Sequence, residues 1–271
     1  DEFSGRIQAV DTIEVSPRVA GYLRDVSYTE GARVEEGDLL VTIDDREYRA
    51  QVALAQADVV RAQTRLELAE QEVTRGEKLV VARALSAEEQ ARRTGELRQA
   101  KADLASAEAQ LRRVQLDVEF TRLKAPIAGR VGEALVRPGN LVTPSETHLT
   151  TLVSADPVHG VVEGDERIYL KYQAQARSGE RPSSRDSRNP VQVGLASDED
   201  YPYHGEMNFV DNRVDPATGT IQGRAELPNP DGYLIPGLFA RVRLLGSGTY
   251  EALLVHKAAI LTDQDRKYVY V

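Results

Sequence analysis

Apolar residues at helical spacing run through two long segments in the first half of the chain. They alternate between steps of four and three residues from Tyr48 onward, and the same stepping returns after Ser86. The two series are Val52, Ala55, Val59, Ala62, Leu66, Ala69 and Val73, and then Leu97, Ala100, Leu104, Ala107, Leu111, Val114 and Val118. A mean spacing of about 3.5 residues is typical of coiled-coil seams. Because each helix has only one narrow apolar stripe, we expect the two helices to pack against each other.

Capping residues indicate where these helices begin and where the chain turns. Asp44 with Glu47 resembles an N-terminal capping pair, and Ser86 with Glu89 is a capping box that opens the second helix. The turn is therefore predicted near Ala82–Leu85. The helix before it is about 55 Å long at 1.5 Å per residue. A turn this short makes the two helices antiparallel.

A short motif occurs twice, once on each side of the helical segment. Val19–Leu23 reads Val-Ala-Gly-Tyr-Leu, and Ile127–Val131 reads Ile-Ala-Gly-Arg-Val at an offset of 108 residues. At the same offset Gly31 aligns with Gly139. Short apolar runs broken by glycine indicate small strands with tight turns. Two such halves, each about 30 residues long, are predicted to fold together as one small β-sandwich across the helices.

Short strand patterns separated by turn sequences occupy the chain after Leu149. The strand candidates are Val158–Val162, Val191–Leu195, Gly205–Phe209, Thr220–Glu226 and Leu238–Leu244. This pattern predicts an antiparallel β-barrel, to which the alternating segment Phe3–Ile13 is expected to add a strand. Arg177–Asn189, which is rich in Arg and Ser, is interpreted as a mobile surface loop rather than a basic binding patch.

Composition limits the chemistry that the protein can carry. The net charge of −9 disfavours a nucleic-acid partner, because phosphate binding needs a basic face. The absence of Cys excludes disulfides, thiolate metal sites and a thiol nucleophile. No apolar run reaches the length of about 20 residues that a membrane helix needs. Both ends of the sequence are strand-like, and we expect any targeting segment or lipid anchor to lie outside it.

Candidate catalytic and metal-binding groups are scattered along the sequence. The four histidines are not spaced as local metal ligands; they are His148, His159, His204 and His256. No phosphate-binding, dinucleotide-binding or serine-nucleophile motif occurs. The acidic clusters near Asp165 and Asp198–Asp200 are interpreted as solvated turns. The sequence therefore predicts no catalytic residue, no cofactor and no metal.

The split β-motif also resembles the lipoyl and biotinyl carrier fold, in which a lysine on a hairpin tip between the two halves carries the cofactor. In this sequence the helical pair replaces that tip. Lys124-Ala125 superficially resembles a modification sequence, but it lies where the second helix returns to the β-motif. A carrier protein is therefore only a remote alternative.

Three sets of motifs carry a resemblance to a known family. They are Ser16–Tyr22 with Leu123–Gly129, then Val214–Thr220 with Asn229–Gly232 and Leu234–Phe239, and at the helical turn Arg75, Leu79 and Ser86. These parts resemble the periplasmic adaptors, or membrane fusion proteins, of resistance-nodulation-division (RND) efflux systems. Asp1–Arg6 and Asp165–Arg167 are most similar to the MexE-like subgroup.

The resemblance implies a mainly β, elongated, multi-module fold with a long α-helical coiled-coil hairpin. The expected modules are the first strand of a β-barrel (1–13), the first half of a lipoyl-like β-sandwich (14–44), the antiparallel α-hairpin (45–121), the second lipoyl-like half (122–148), the antiparallel β-barrel (149–245) and part of a membrane-proximal β-domain (246–271). We expect each to be a thin module, because aromatic residues make up only 6% of the chain.

The resemblance also implies a function without catalysis. The adaptor would link an inner-membrane RND transporter to an outer-membrane channel protein of the TolC or OprM kind, for export of drugs or other toxic compounds. It would lie in the periplasm of a Gram-negative bacterium, held to the inner membrane by an N-terminal lipid or anchor, and would assemble as a hexamer. Arg75, Leu79 and Ser86 would dock on the channel. An adaptor of an ABC-type or type I secretion exporter is the alternative, which the barrel motifs disfavour.

Overall fold

A computed structural model describes residues 1–244, 259–263 and 266–268 of the 271-residue chain. Two compact units are formed, one by Asp11–Ala155 and the other by Asp1–Val10 together with the chain from Asp156 onward. Most of the predicted partial domain 246–271 lies outside the described residues. Within it the structure shows only an antiparallel pair of short strands, at Leu261–Asp263 and Arg266–Tyr268.

Sixteen strands and three helices are described. The chain begins with strands β1 (Glu2–Ala9), β2 (Thr12–Val15), β3 (Gly21–Val26), β4 (Arg33–Val34) and β5 (Leu39–Ile43), and continues with helices α1 (Arg46–Val81) and α2 (Ala87–Phe120). It continues with β6 (Arg122–Lys124), β7 (Gly129–Val131), β8 (Leu141–Val142), β9 (Thr150–Val153), β10 (Val158–Asp165) and α3 (Glu166–Ser178). The last strands are β11 (Pro190–Leu195), β12 (Tyr203–Val210), β13 (Thr220–Leu227), β14 (Phe239–Leu244), β15 (Leu261–Asp263) and β16 (Arg266–Tyr268).

The repeated motif forms a β-sandwich with internal symmetry. Its sheets have the strand orders β2-β9-β7-β4 and β6-β5-β3-β8. Gly21 of β3 pairs with Val142 of β8, and Gly129 of β7 pairs with Val34 of β4. These two pairs are related by the offset of 108 residues found in the sequence. The two halves therefore exchange equivalent strands around one core, as the sequence predicted.

Glycines of the repeat are required by the backbone in both halves. A Cβ at Gly21 would lie 2.6 Å from a methyl carbon of Ile43, and one at Gly129 would overlap the carbonyl oxygen of Val153. Gly31 and Gly139 have φ angles of 77° and 91°, a region that L side chains rarely adopt. Gly31 and Gly139 thus make the same kind of turn in the two halves, whereas Gly21 and Gly129 each avoid a clash with a different neighbour.

Helices α1 and α2 form an antiparallel hairpin between β5 and β6. Every residue of the two predicted apolar series is buried or half-buried, and Ala55, Ala62, Ala100 and Val114 are fully buried. The larger seam residues, including Leu66 and Leu104, are only half-buried, because a two-helix seam is narrow.

The start of α1 differs from the capping pair that the sequence suggested. The N-cap residue is Asp45, whose side chain makes no capping hydrogen bond. Asp44 instead accepts the Arg46 N–H at 3.1 Å and pairs with the Arg46 guanidinium at 2.5 Å. Arg46 holds the pKa of Asp44 at about 2. Glu47 takes no part in these contacts.

The second unit contains a closed six-stranded barrel with the strand order β1-β10-β13-β12-β11-β14. The structure has a strand at each of the five predicted positions after Leu149. Apolar side chains fill the barrel; the largest that are fully buried are Ile7, Leu227, Leu234, Val158 and Val191. The mainly β fold with a helical hairpin is thereby confirmed.

Two expected module boundaries differ from the structure. Residues 12–13 were assigned to the barrel, but β2 pairs with β9 in the sandwich, and β9 was itself assigned to the barrel. No Gly or Pro occurs between Arg6 and Ser16, and the alternation of polar and apolar residues is interrupted only at Val10 and Asp11 before it resumes at Ile13. This interruption coincides with the passage of the chain from one unit to the other, but no turn residue marks it.

Helix α3 is an element that the sequence analysis missed. Its N-cap, Asp165, accepts the Arg167 N–H at 2.7 Å, and its C-cap, Gly179, has a φ of 79°. Ile168 and Tyr172 lie four residues apart and pack against the barrel core. These are ordinary helix start, stop and spacing patterns, but the short apolar runs around them favoured strands.

The segment after α3 makes several contacts that a loop interpretation did not include. Arg181 and Asn189 are buried within it. Asn189 Nδ2 donates to the Pro182 carbonyl at 3.2 Å and to Ser184 Oγ at 2.9 Å. Arg185 donates to the Asp211 carbonyl at 2.5 Å. Most of Arg177–Asn189 is exposed, as expected of a surface loop, but its first two residues belong to α3, and Arg181 and Asn189 are buried. Its mobility stays a prediction.

Candidate functional site

The candidate site is the tip of the helical hairpin, where α1 ends and α2 begins. Three backbone hydrogen bonds close the turn: Ala82 N–H to the Lys78 carbonyl at 3.1 Å, Arg83 N–H to Val80 at 2.9 Å and Ala84 N–H to Leu79 at 2.8 Å. Arg83 has a φ of 55°, although it is not a glycine. The turn therefore lies where the sequence predicted it.

Ser86 begins the second helix as predicted. Its Oγ accepts the Glu89 N–H at 3.2 Å, and its backbone is extended. Glu89 also accepts hydrogen bonds from the Arg92 guanidinium, which lower the pKa of this exposed carboxyl to about 2. A carboxylate in the first turn of a helix also interacts favourably with the helix dipole.

Polar side chains replace the apolar seam next to the tip. We call Glu72, Gly76, Gln90 and Arg93 the tip cluster. Gln90 Nε2 donates to the Val73 carbonyl at 3.3 Å, and Arg93 Nη1 donates to the Glu72 carbonyl at 3.1 Å. Arg93 also pairs with the Glu72 carboxylate at 3.0 Å, and its side chain is only 17% exposed.

Gly76 makes this cross-helix contact sterically feasible. It is buried, and a Cβ there would overlap Gln90 Oε1 and lie 3.3 Å from Arg93 Cδ. Gly76 follows Val73 by three residues, where the apolar series of α1 would continue. A glycine at a seam position, opposite long polar residues of the partner helix, was the signal for this contact.

The three predicted docking residues all lie at the tip. Arg75 is exposed and pairs with Glu72 at 3.1 Å, and Ser86 is exposed at the start of α2. Docking through Leu79 implies an exposed side chain, but the structure half-buries it. The most exposed large apolar residue of the tip is Val81, at 86%, which the sequence analysis did not single out.

Within residues 1–244, 259–263 and 266–268, no group of three or more His, Asp or Glu residues is arranged to hold a metal ion. His148 Nδ1 lies 3.2 Å from a Glu14 carboxylate oxygen, whereas His256 is outside the described residues. Lys124 lies in β6 rather than on a hairpin tip. None of the described helices is long and apolar enough to cross a membrane. The expected lack of catalysis stays a prediction.

Two family descriptions match the chain, and together they cover most of it. Residues 11–154 match "RND MFP, barrel-sandwich hybrid domain", where MFP stands for membrane fusion protein. Residues 168–247 match "RND MFPs, beta-barrel domain". The first match contains the sandwich and the hairpin, and the second contains most of the barrel strands.

Curated relatives align with nearly the whole chain. The multidrug export protein AcrE of Escherichia coli is 30% identical over 260 residues, which are 96% of this chain and 67% of the relative. The solvent efflux pump periplasmic linker SrpA of Pseudomonas putida is 34% identical over 263 residues, which are 97% of this chain and 65% of the relative. The chain thus spans about two thirds of the length of these relatives.

A solved structure has the same fold. The membrane fusion protein Spr0693 of Streptococcus pneumoniae superposes with a TM-score of 0.67 and 18% identity, over 92% of this chain and all of that one. At this identity the likeness concerns the fold alone. It agrees with the order of sandwich, hairpin and barrel strands described above.

Proposed function

The chain belongs to the membrane fusion proteins of RND efflux systems, and from this premise we propose that it is the periplasmic adaptor of a tripartite efflux pump. In this role it links an inner-membrane RND transporter to an outer-membrane channel and supports the export of drugs or other toxic compounds. It lies in the periplasm, is held at the inner membrane by an N-terminal lipid or anchor, and works as a hexamer.

The observation that carries the proposal is the hairpin within a chain of this family. Helices of 36 and 34 residues leave the sandwich between β5 and β6 and return to it. At 1.5 Å per residue the longer helix extends about 54 Å. An element of this length, with a polar surface and a single seam, suits a spacer that reaches a partner. Relatives of this chain are named periplasmic linkers.

The barrel favours an RND pump over the alternative exporter. The matched family description for residues 168–247 is specific to RND membrane fusion proteins. An adaptor of an ABC-type or type I secretion exporter would share the sandwich and hairpin and would not need this barrel match. A lipoyl or biotinyl carrier is disfavoured because Lys124 lies within a strand.

We propose the hairpin tip as the surface that docks on the outer-membrane channel. Arg75 and Leu79 are one helical turn apart on α1, so they share a face. The Arg75 guanidinium is 66% exposed and can exchange Glu72 for a carbonyl or carboxylate of the partner. Leu79, Val81 and Ser86 would complete the surface with apolar contact and a hydroxyl.

The function is tested by deleting the gene in its host and restoring it on a plasmid. Deletion should lower the minimum inhibitory concentrations of several exported compounds and raise their accumulation in cells. Cross-linking in the native membrane should recover an RND transporter and a channel with the protein. Unchanged resistance and accumulation, with neither partner recovered, would contradict the adaptor assignment.

The docking surface is tested with Arg75→Asp and Leu79→Asp. Arg61→Asp is a matched control, because Arg61 is also 66% exposed, also pairs with an acidic residue three positions earlier, and lies two heptads from Arg75. We expect both tip variants to abolish resistance at wild-type protein level, and the control to retain it. Full resistance with both tip variants would refute docking at the tip. Loss of resistance in Arg61→Asp as well as in the tip variants would mean that the whole face of α1, and not the tip, is needed.

A further inference from the structure

An apolar cavity opens at one end of the barrel, beneath α3 and the segment that follows it. Its volume is about 80 Å³. Apolar side chains of the barrel and of α3 make up most of its wall; among them are Phe3, Ile168, Tyr172, Met207, Val242 and Leu244. Small-molecule sites are typically concave, mostly apolar and provided with few polar groups. The barrel cavity has this character.

One charged side chain enters the wall of the barrel cavity. Arg181 is only 8% exposed, and its Cζ lies 4.5 Å from the ring centroid of Tyr172. Its Nη2 donates to Ser184 Oγ at 3.4 Å, which is a long hydrogen bond. Its Nη1 is buried and has no hydrogen-bond partner among the described residues. Burial lowers the pKa of this guanidinium.

No carboxylate neutralises Arg181 in the described part of the chain. The Asp1 carboxylate lies close by, but it accepts hydrogen bonds from Tyr172 Oη at 2.7 Å and from Lys171 Nζ at 2.9 Å, and it forms no ion pair with Arg181. A buried guanidinium is normally paired, because burial without a partner costs free energy. The cation–π contact with Tyr172 and the favourable interaction with its hydroxyl compensate only part of this cost. No hydrogen bond in the described part of the chain uses Nη1.

We propose that the barrel cavity binds a small amphipathic carboxylate, whose apolar body lies in the cavity and whose carboxylate accepts hydrogen bonds from Arg181. The planar guanidinium suits a carboxylate, since two of its N–H groups can bind both oxygens. The apolar wall provides the remaining contact. This proposal does not rest on the adaptor assignment, because it uses only contacts inside the barrel unit.

The size of the barrel cavity limits the ligand. An engineered apolar cavity of about 150 Å³ holds one benzene molecule, so the present space, about half as large, encloses only the end of a short alkyl chain and excludes a multi-ring compound. The rest of such a chain would lie at the open end of the cavity. Hexanoate is a suitable probe, and 1-hexanol is its uncharged match. Acetate carries the same charge without the apolar body.

The chain contains its own reporter of binding. Met207 is the only methionine in the sequence and lines the barrel cavity. A Cβ at Gly223, another lining residue, would lie 2.9 Å from the Met207 methyl carbon. Labelling of the methionine methyl group with carbon-13 thus gives one resonance at the proposed site.

The experiment is a titration of the labelled protein, at constant ionic strength, with each of the three probes. Hexanoate should shift the Met207 resonance in a saturable manner, with an affinity at least tenfold higher than that of 1-hexanol or acetate. Arg181→Met should lower the hexanoate affinity at least tenfold and leave that of 1-hexanol unchanged. Arg177→Met, at an exposed position in the last turn of α3, is the matched control and should change neither affinity.

A second variant keeps the test decisive if Arg181→Met does not fold. Val210→Phe fills part of the barrel cavity and retains Arg181, so it should weaken hexanoate binding at least tenfold. Absence of saturable hexanoate binding to the wild-type protein would overturn the proposal. So would equal binding of hexanoate and acetate, which would mean an anion contact alone, or undiminished hexanoate binding by Val210→Phe.

Discussion

Gly76→Ala and Gly95→Ala form a matched pair that measures the helix contact at the hairpin tip. Both glycines lie inside hairpin helices, so each substitution gains the same helix propensity of about 1 kcal/mol. Their surroundings differ. Nothing lies within 4 Å of a Cβ added at Gly95, whereas a Cβ at Gly76 would overlap Gln90 Oε1.

The change in the free energy of unfolding expected for Gly76→Ala follows from the displacement of Gln90. If Gln90 moves, its hydrogen bond to the Val73 carbonyl is lost, at a cost of about 1 kcal/mol. A side chain displaced from its preferred rotamer adds about 1 kcal/mol. After the propensity gain, Gly76→Ala should lower the free energy of unfolding by about 1 kcal/mol, and Gly95→Ala should raise it by about 1 kcal/mol.

Thermal unfolding followed by far-ultraviolet circular dichroism measures this difference. The signal reports mainly the hairpin, because α1 and α2 contain 36 and 34 residues and α3 only 13. For a unit of this size 1 kcal/mol shifts Tm by about 3 °C. We therefore expect Tm to rise by about 3 °C for Gly95→Ala and to fall by about 3 °C for Gly76→Ala.

Equal increases of Tm in the two variants would refute the reasoning, since they would mean that Gln90 does not contact Gly76. The double variant Gly76→Ala, Gln90→Ala supplies a further check. It removes the side chain that the new methyl group meets, so it should be more stable than the sum of the single effects. Additive effects would show that the cost at Gly76 has another cause.

Two further predictions concern the hairpin. Leu66→Ala and Leu104→Ala should each lower the free energy of unfolding by about 2 kcal/mol, because both side chains lie in the seam. Leu68 is 60% exposed, so Leu68→Ala should change the free energy of unfolding little in the same denaturation series. The ion pair with Arg92 lowers the pKa of Glu89 from 4.5 to about 2. The ion pair therefore stabilises the folded hairpin above pH 4.5, and this stabilisation is lost as the pH falls to about 2. Hairpin helicity in Glu89→Gln should therefore depend less on pH in this window, and identical profiles for the variant and the wild type would contradict the assignment.

The hairpin and the sandwich were predictable because their patterns are local or repeated. A heptad seam depends only on helix geometry, so residues such as Leu66 and Val114 could be assigned without knowing the rest of the fold. Gly31 and Gly139 could be aligned because the same left-handed turn is required in each half. The sequence also placed the turn and the Ser86 cap correctly.

The features that were missed depend on contacts between distant segments. Leu79 lies off the seam, but the turn bonds the Ala84 N–H to its carbonyl and returns the chain against the end of α1. Burial of Arg181 depends on the packing of its segment over Tyr172, which no local pattern indicates. The N-cap Asp165 and the C-cap Gly179 could have indicated α3, so that omission was one of interpretation.

The tip cluster has a consequence for how the hairpin presents its end. An apolar seam of Ala, Val and Leu can shift by a heptad with little loss of contact, whereas a polar residue in a seam specifies the register. Gln90 and Arg93 bond to the carbonyls of Val73 and Glu72, and these bonds exist in one register only. The same register sets the height of Arg75 on α1 relative to Ser86 on α2. If these two residues contact a partner together, the polar contacts of the tip cluster fix the geometry of that surface, and a seam made only of apolar residues would not.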